Sequence, residues 1–168
     1  FLGRNLYPLG ALLLTSWGPT RDRWFRSGQE HKRSTLERLA REFPHIGLSC
    51  GWDDQALEFF AWGARSWVCA GSNFVPKEHI ALYEACVLEK NFDKGRGIMS
   101  AMMPLMNFLD GGKFVQSIKF GCELAGLNVG QVRSPLRPLN SEEKRTLQTI
   151  VATLKRTVAL ITSGANRA

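Results

Sequence analysis

Two short apolar runs, "HIGLSCG" (residues 45–51) and "SWVCAGS" (residues 66–72), each end in a glycine-bearing turn. Neither alternates apolar with polar residues, so neither could leave one face in water, and each reads as a strand covered on both sides. Between them, "DDQALEFFAWG" (residues 53–63) reads as a helix. Asp53 or Asp54 caps its start, Ala56, Leu57 and Phe60 turn inward, and Gly63 ends it. Strand, helix, strand in that order implies parallel pairing, because parallel neighbours need a crossover rather than a tight turn. The class is α/β. Two strands cannot by themselves make a sheet covered on both faces, so further strands must come from elsewhere.

On either side the text changes character. "TLERLAREF" reads as a short helix with Leu36, Leu39 and Ala40 on one face, closed by Pro44. Beyond Pro76 only helical periods remain. "PKEHIALYEACVLEK" opens with proline in a first turn and carries a stripe of Ile80, Tyr83 and Val87. "GRGIMSAMMPLMNFLDGG" repeats the period through Ile98, Met102, Leu105 and Leu109, with a kink expected at Pro104. "KFVQSIKFGCELAGL" places Val115, Ile118, Cys122 and Ala125 together. The last helix starts at a capping box of Asn140 with Glu143, and Leu147, Ile150, Val151, Leu154, Val158 and Ile161 form its buried face. Residues 1–34 show no such agreement between local preference and pattern, mixing glycine turns, prolines and clustered arginines with bulky aromatics. The chain thus divides into an anomalous segment at 1–34, strand and helix units at 35–76, and a helical bundle at 77–162.

Composition removes several classes of function. The net charge of +7 divides into +4 over residues 1–44 and +3 over residues 45–168, and no basic stripe is interleaved with aromatics. That is a solvated surface rather than a nucleic-acid face. The longest apolar stretch, "LYPLGALLLTSWG", is interrupted by proline and glycine and falls short of a membrane span. Arg4 ahead of it gives the outline of a secretory leader, but no clean small-residue cleavage site follows. Cys50, Cys69, Cys86 and Cys122 include no C-x-x-C pair, which suits buried thiols in a reducing cytoplasm, and His31, His45 and His79 have no metal-ligand spacing. Neither a metal nor another cofactor is expected.

The turn "GWDD" at Gly51–Asp54, the stretch from Gly63 to "NFVP", and the downstream "IMSAMMPLMNFL", "KFVQSIKFGCELAGL" and "GQVRSPLRPL" follow one another in an order of their own. From Leu36 to Arg156 the chain resembles the dihydrodipicolinate synthase and N-acetylneuraminate lyase family. The resemblance implies the C-terminal part of a (β/α)8 TIM barrel. The two apolar runs would be strands seven and eight, a three-helix terminal bundle would follow, and the barrel would be incomplete. It also implies a lyase or aldolase that forms a Schiff base between a lysine on strand six and a small 2-keto acid such as pyruvate. The "GWDDQALEFFAWGARSWVCAGSNF" wording is closest to the branch that handles hydroxyproline breakdown products. Family members are commonly tetramers.

The residues that would perform the chemistry are missing. The family lysine should fall about 25 residues before Gly51, at Arg26, within "RWFRSGQEH". A guanidinium is never deprotonated in a protein and is no amine nucleophile. The nearest lysine is Lys32, the candidate Schiff-base residue, but its "EHKRS" neighbours are polar and would not desolvate it. The tyrosine proton relay has no match, since Tyr7 in "NLYPL" is too early, and the carboxylate-binding turn of the second strand is absent. By the resemblance, Ser49 and Gly51 line the barrel mouth, the backbone at Val68 approaches the keto-acid carboxylate, and Ser72 and Asn73 lie in the following turn. A structural alternative for Gly51 is a turn that needs positive φ. The expectation is a truncated or frame-disrupted enzyme, or an inactive fragment serving as an interaction module.

Overall fold

The computed structural model describes the backbone of residues 15–16, 23–27 and 33–164, and the side chains of residues 36–164. The chain divides into two compact units, Phe1–Cys69 and Ala70–Ala168. The boundary read from the sequence at residue 76 falls inside the second.

In the first unit, β1 (Thr15–Ser16), β2 (Arg23–Ser27), α1 (Arg33–Glu42), β3 (Ile46–Cys50), α2 (Ala56–Ala61) and β4 (Ser66–Trp67) follow in order. The sheet order is β1-β2-β3-β4. Both pairings on either side of β3 are parallel. They are made possible by α1 and α2 as crossovers. β1 instead runs antiparallel to β2. Two of these strands lie within residues 1–34, so that stretch supplies part of the sheet.

The crossover helices bury what an amphipathic period should bury. Leu36 and Leu39 of α1 are 8% and 9% exposed, and Phe59 and Phe60 of α2 are 4% and 3% exposed. Phe60 meets the Trp67 ring edge-to-face, with centroids 5.9 Å apart, which ties α2 to β4. The helix expected over residues 53–63 is shorter and starts differently. Asp53–Gln55 form a 3-10 turn, and neither Trp52 nor Gln55, which stand at the N-cap positions, makes a side-chain cap. The buried positions are Ala56, Phe59 and Phe60, with Leu57 only half-buried, because the 3-10 turn changes the phase of the helix that follows. Gly63 ends the helix at φ +88°, as its freedom from a Cβ permits.

The second unit is helical: α3 (Pro76–Tyr83), continued by a π turn at Glu84–Leu88, then α4 (Phe92–Asp110), α5 (Phe114–Leu124) and α6 (Ser141–Thr162). Its core joins Leu82, Ile98, Met102, Leu105, Leu109, Leu147 and Leu154, none more than 1% exposed. The methionines are core filler. Helix α4 runs through Pro104 as one element. Two expected faces are rotated. On α3 the buried side carries Glu78, His79 and Leu82, while Ile80 is 54% exposed. On α5 it carries Ser117, Gly121 and Cys122, while Val115 is 44% exposed. In α5 a small residue faces inward because the neighbour approaches closely. A Cβ on Gly121 would lie 2.6–2.7 Å from the Phe74 ring. The α6 start follows its capping box: Asn140 Oδ1 accepts from the Glu143 backbone at 2.9 Å, and the Glu143 carboxylate accepts from the Asn140 backbone at 2.8 Å. Lys113 adds an ion pair to the same carboxylate.

Among the described residues, no helix is long and apolar enough to cross a membrane. None of their His, Cys, Asp and Glu side chains form a group of three or more that could hold a metal ion.

Gly121→Ala is expected to destabilise the protein by about 1–3 kcal/mol in thermal or urea denaturation, because Phe74 is buried and cannot yield to the added methyl. The Lys113 hydrogen bond, followed by the Asn140 backbone hydrogen bond, lowers the Glu143 pKa below its ordinary 4.5. The resulting stability is present above that value and lost as pH falls through the lowered one. Glu143→Gln should therefore flatten the acid limb of a stability-versus-pH curve.

Candidate functional site

Because β2, β3 and β4 point the same way, their carboxyl ends form one rim, which is where α/β sheets place ligands. The rim is in register. Arg26 stands beside Ser49, and Ser49 beside Ser66; Ser27 stands beside Cys50, and Cys50 beside Trp67. The Val68 N–H then donates to the Cys50 carbonyl at 2.9 Å, carrying the pairing one step past the strand.

Ser49, Gly51 and Val68 thus belong to neighbouring strand ends of the first unit. Ser49 is buried, Gly51 is half-buried and Val68 is 51% exposed. The run at residues 66–72 is therefore not a fully covered strand. Its paired part is Ser66–Trp67, both half-buried, and among the described residues its strand neighbour is β3. Gly51 is not among the positive-φ glycines of the described residues, so its turn does not rest on left-handed backbone. Ser72 and Asn73 fall in a 3-10 turn of the second unit, Gly71–Asn73. There the Asn73 amide donates to the Ala70 carbonyl at 2.8 Å and braces the turn itself.

No described residue of the first unit offers an amine. Lys32 is the single lysine among residues 1–69, and both it and Tyr7 lie outside the described residues. The position expected for the amine, Arg26, lies on β2 directly beside β3. Four lysines of the second unit are held by other groups. Lys94 pairs with Glu89 at 2.9 Å, Lys113 pairs with Glu143, Lys119 donates to three backbone carbonyls, and Lys144 sits 5.0 Å above the Phe120 ring.

At Cys50 burial excludes a thiol nucleophile. Cys50 is fully buried, and desolvation pushes its pKa up to about 12; the neutral thiol donates from Sγ to the Trp52 carbonyl at 3.0 Å. A thiol held neutral is no nucleophile at pH 7. Its bond does something else, since it anchors the turn leading to Asp53 and Asp54. The sequence reading missed this role, because a cysteine inside an apolar run carries no sign of it. Burial likewise raises Cys86 to about 11.

A cavity of about 400 Å³ lies at the other end of β3, lined by Pro44, His45, Ile46, Trp62 and Arg65 among others. It opens at the amino end of the strand, where barrel architecture contributes stability rather than chemistry.

The family model of the dihydrodipicolinate synthetase family matches residues 28–154. The 4-hydroxy-tetrahydrodipicolinate synthase of Exiguobacterium sibiricum is 39% identical over 91 residues, which is 54% of this chain and 31% of that protein. The probable 5-dehydro-4-deoxyglucarate dehydratase of Pseudomonas fluorescens is 28% identical over 120 residues, 70% of this chain and 40% of that protein. The structure of the 4-hydroxy-tetrahydrodipicolinate synthase from Methylacidiphilum fumariolicum superposes with a TM-score of 0.70 at 23% identity, covering 81% of this chain and 45% of that one. At that identity the likeness shows the fold alone. The chain spans less than half the length of each of these proteins.

Between an ordinary thiol value of 9.0 and about 12, the unfolded chain releases the Cys50 proton while the folded chain holds it. Stability should therefore fall as pH rises through that window. Cys50→Ser keeps a donor for the Trp52 carbonyl but does not titrate there. Its urea midpoint should fall less steeply between pH 9 and 11 than that of the wild type, and equal slopes would contradict the assignment.

Proposed function

The chain belongs to the dihydrodipicolinate synthetase family, and from that premise we propose that it carries the closing part of a (β/α)8 barrel for Schiff-base lyase or aldolase chemistry. β3 and β4 stand as strands seven and eight, and the helices after Pro76 as the terminal bundle. The reactant class is a small 2-keto acid. The names of the relatives span a synthase and a dehydratase, so the proposal stops at that class.

Within this reading, Gly51 and Val68 line the keto-acid carboxylate. Support comes from their place at adjacent strand ends, with the Val68 backbone bonded to Cys50. A closed barrel of this kind has eight strands, and the described residues hold a four-stranded sheet.

The chain as it stands performs no imine chemistry. The observation that supports this is the register of β2: Arg26, where the resemblance expects the amine, stands beside Ser49 of β3. Imine formation needs a neutral primary amine, and guanidinium supplies none. A second reading, a module that acts by association, is favoured by Ile80 and Leu88 of the second unit, which are 54% and 65% exposed.

Incubation with pyruvate and borohydride, followed by peptide mass spectrometry, tests the first reading. The expected result is an unchanged mass. A reduced pyruvyl adduct on Lys32, or on any other lysine, would overturn it. Light scattering across a concentration series separates the second reading, which requires mass that grows with concentration.

A further inference from the structure

The connection between α5 and α6, residues 125–140, has no helix or strand of its own. Its first residues close the end of α5, where Gly126 and Leu127 donate to the Glu123 and Cys122 carbonyls. Leu139, 6% exposed, anchors the far end. Between these anchors, the stretch from Asn128 to Gln131 is tied to α5 by one side chain among the described residues. The Lys119 ammonium donates to the carbonyls of Val129 at 2.8 Å, Gly130 at 3.2 Å and Gln131 at 3.0 Å.

An ammonium has three N–H donors and no acceptor, so three carbonyls satisfy it completely. Three successive carbonyls rarely turn to one point. Here the turn depends on Gly130 at φ +67°, in the left-handed region that side chains avoid, and on Asn128 Oδ1, which accepts from the Gly130 N–H at 3.2 Å. The loop is therefore shaped around a cation. Its oxygens are neutral, which suits a single positive charge. They stand 2.8–3.2 Å from the nitrogen, whereas Mg²⁺ and Ca²⁺ draw oxygens to about 2.0–2.6 Å. Backbone carbonyls that replace a hydration shell favour ions of potassium size.

We propose that the Val129–Gly130–Gln131 carbonyls form a monovalent-cation cradle, filled in cis by Lys119, which clasps the α5–α6 connection shut. When the lysine is removed, ammonium or potassium takes its place. This stands independently of the catalytic reading, since no residue of the first unit enters it.

Two measurements test the proposal. Reductive methylation of the native chain, read by mass spectrometry, should modify Lys119 more slowly than Lys155, which is exposed on α6. Limited trypsin digestion should cut the Arg133–Ser134 bond at least about tenfold faster in Lys119→Met than in the wild type, as expected for losing charged hydrogen bonds that oppose local opening. Potassium or ammonium chloride should then slow that cleavage in the variant and leave the wild type unchanged, whereas choline chloride at the same ionic strength should protect neither. Equal methylation of the two lysines, or cleavage of Lys119→Met at the wild-type rate, overturns the clasp. Rapid cleavage that choline slows as well as potassium does overturns the cradle. The methylation arm uses the native chain, so it decides even where the variant does not fold.

Discussion

The pairing of β2, β3 and β4 in a single direction is the constraint to which the rest of the first unit answers. Parallel strands cannot turn directly into one another, so each pairing requires a crossover, and α1 and α2 supply them. Those helices must bury an apolar face against the sheet, which is why Leu36, Leu39, Phe59 and Phe60 sit where they do. The same direction gathers three carboxyl ends at one rim, and so decides which residues could ever meet a ligand there.

What stands on that rim defines the limits of its chemistry. A guanidinium position, three serines, a neutral thiol and a tryptophan occupy adjacent register places. Hydrogen-bonding groups are present, but neither an activated thiol nor a neutral amine is among them. The pairing of strands rests on backbone geometry and apolar burial, whereas imine formation depends on one side chain at one position.

Legibility differed between elements for physical reasons. The α1 helix, the β3 strand and the α6 capping box were readable because each rests on interactions local in sequence: a 3.6-residue period, an unbroken apolar run, and a reciprocal pair three residues apart. The buried faces of α3 and α5 were misread. A reading that ranks residues by hydrophobicity chooses Ile80 and Val115 over His79 and Gly121, and in α5 the close approach of Phe74 leaves room only for the glycine. The "SWVCAGS" run was expected to be covered along its length, yet only two of its residues pair as strand, because coverage requires neighbours that a local sequence does not specify. The thiol that anchors the turn after β3 and the lysine that closes the α5–α6 connection carry no motif at all.

The sequence by itself determined the class of the fold, the family and the positions of most helices. All of these follow from residue type and spacing along the chain. Tertiary structure alone decided which strands became neighbours, that β1 runs against the others, which sides of α3 and α5 face inward, and that Lys119 would find three carbonyls ten to twelve residues away. The reason is that each of these depends on groups brought together by packing, where distance in space and distance along the chain no longer agree.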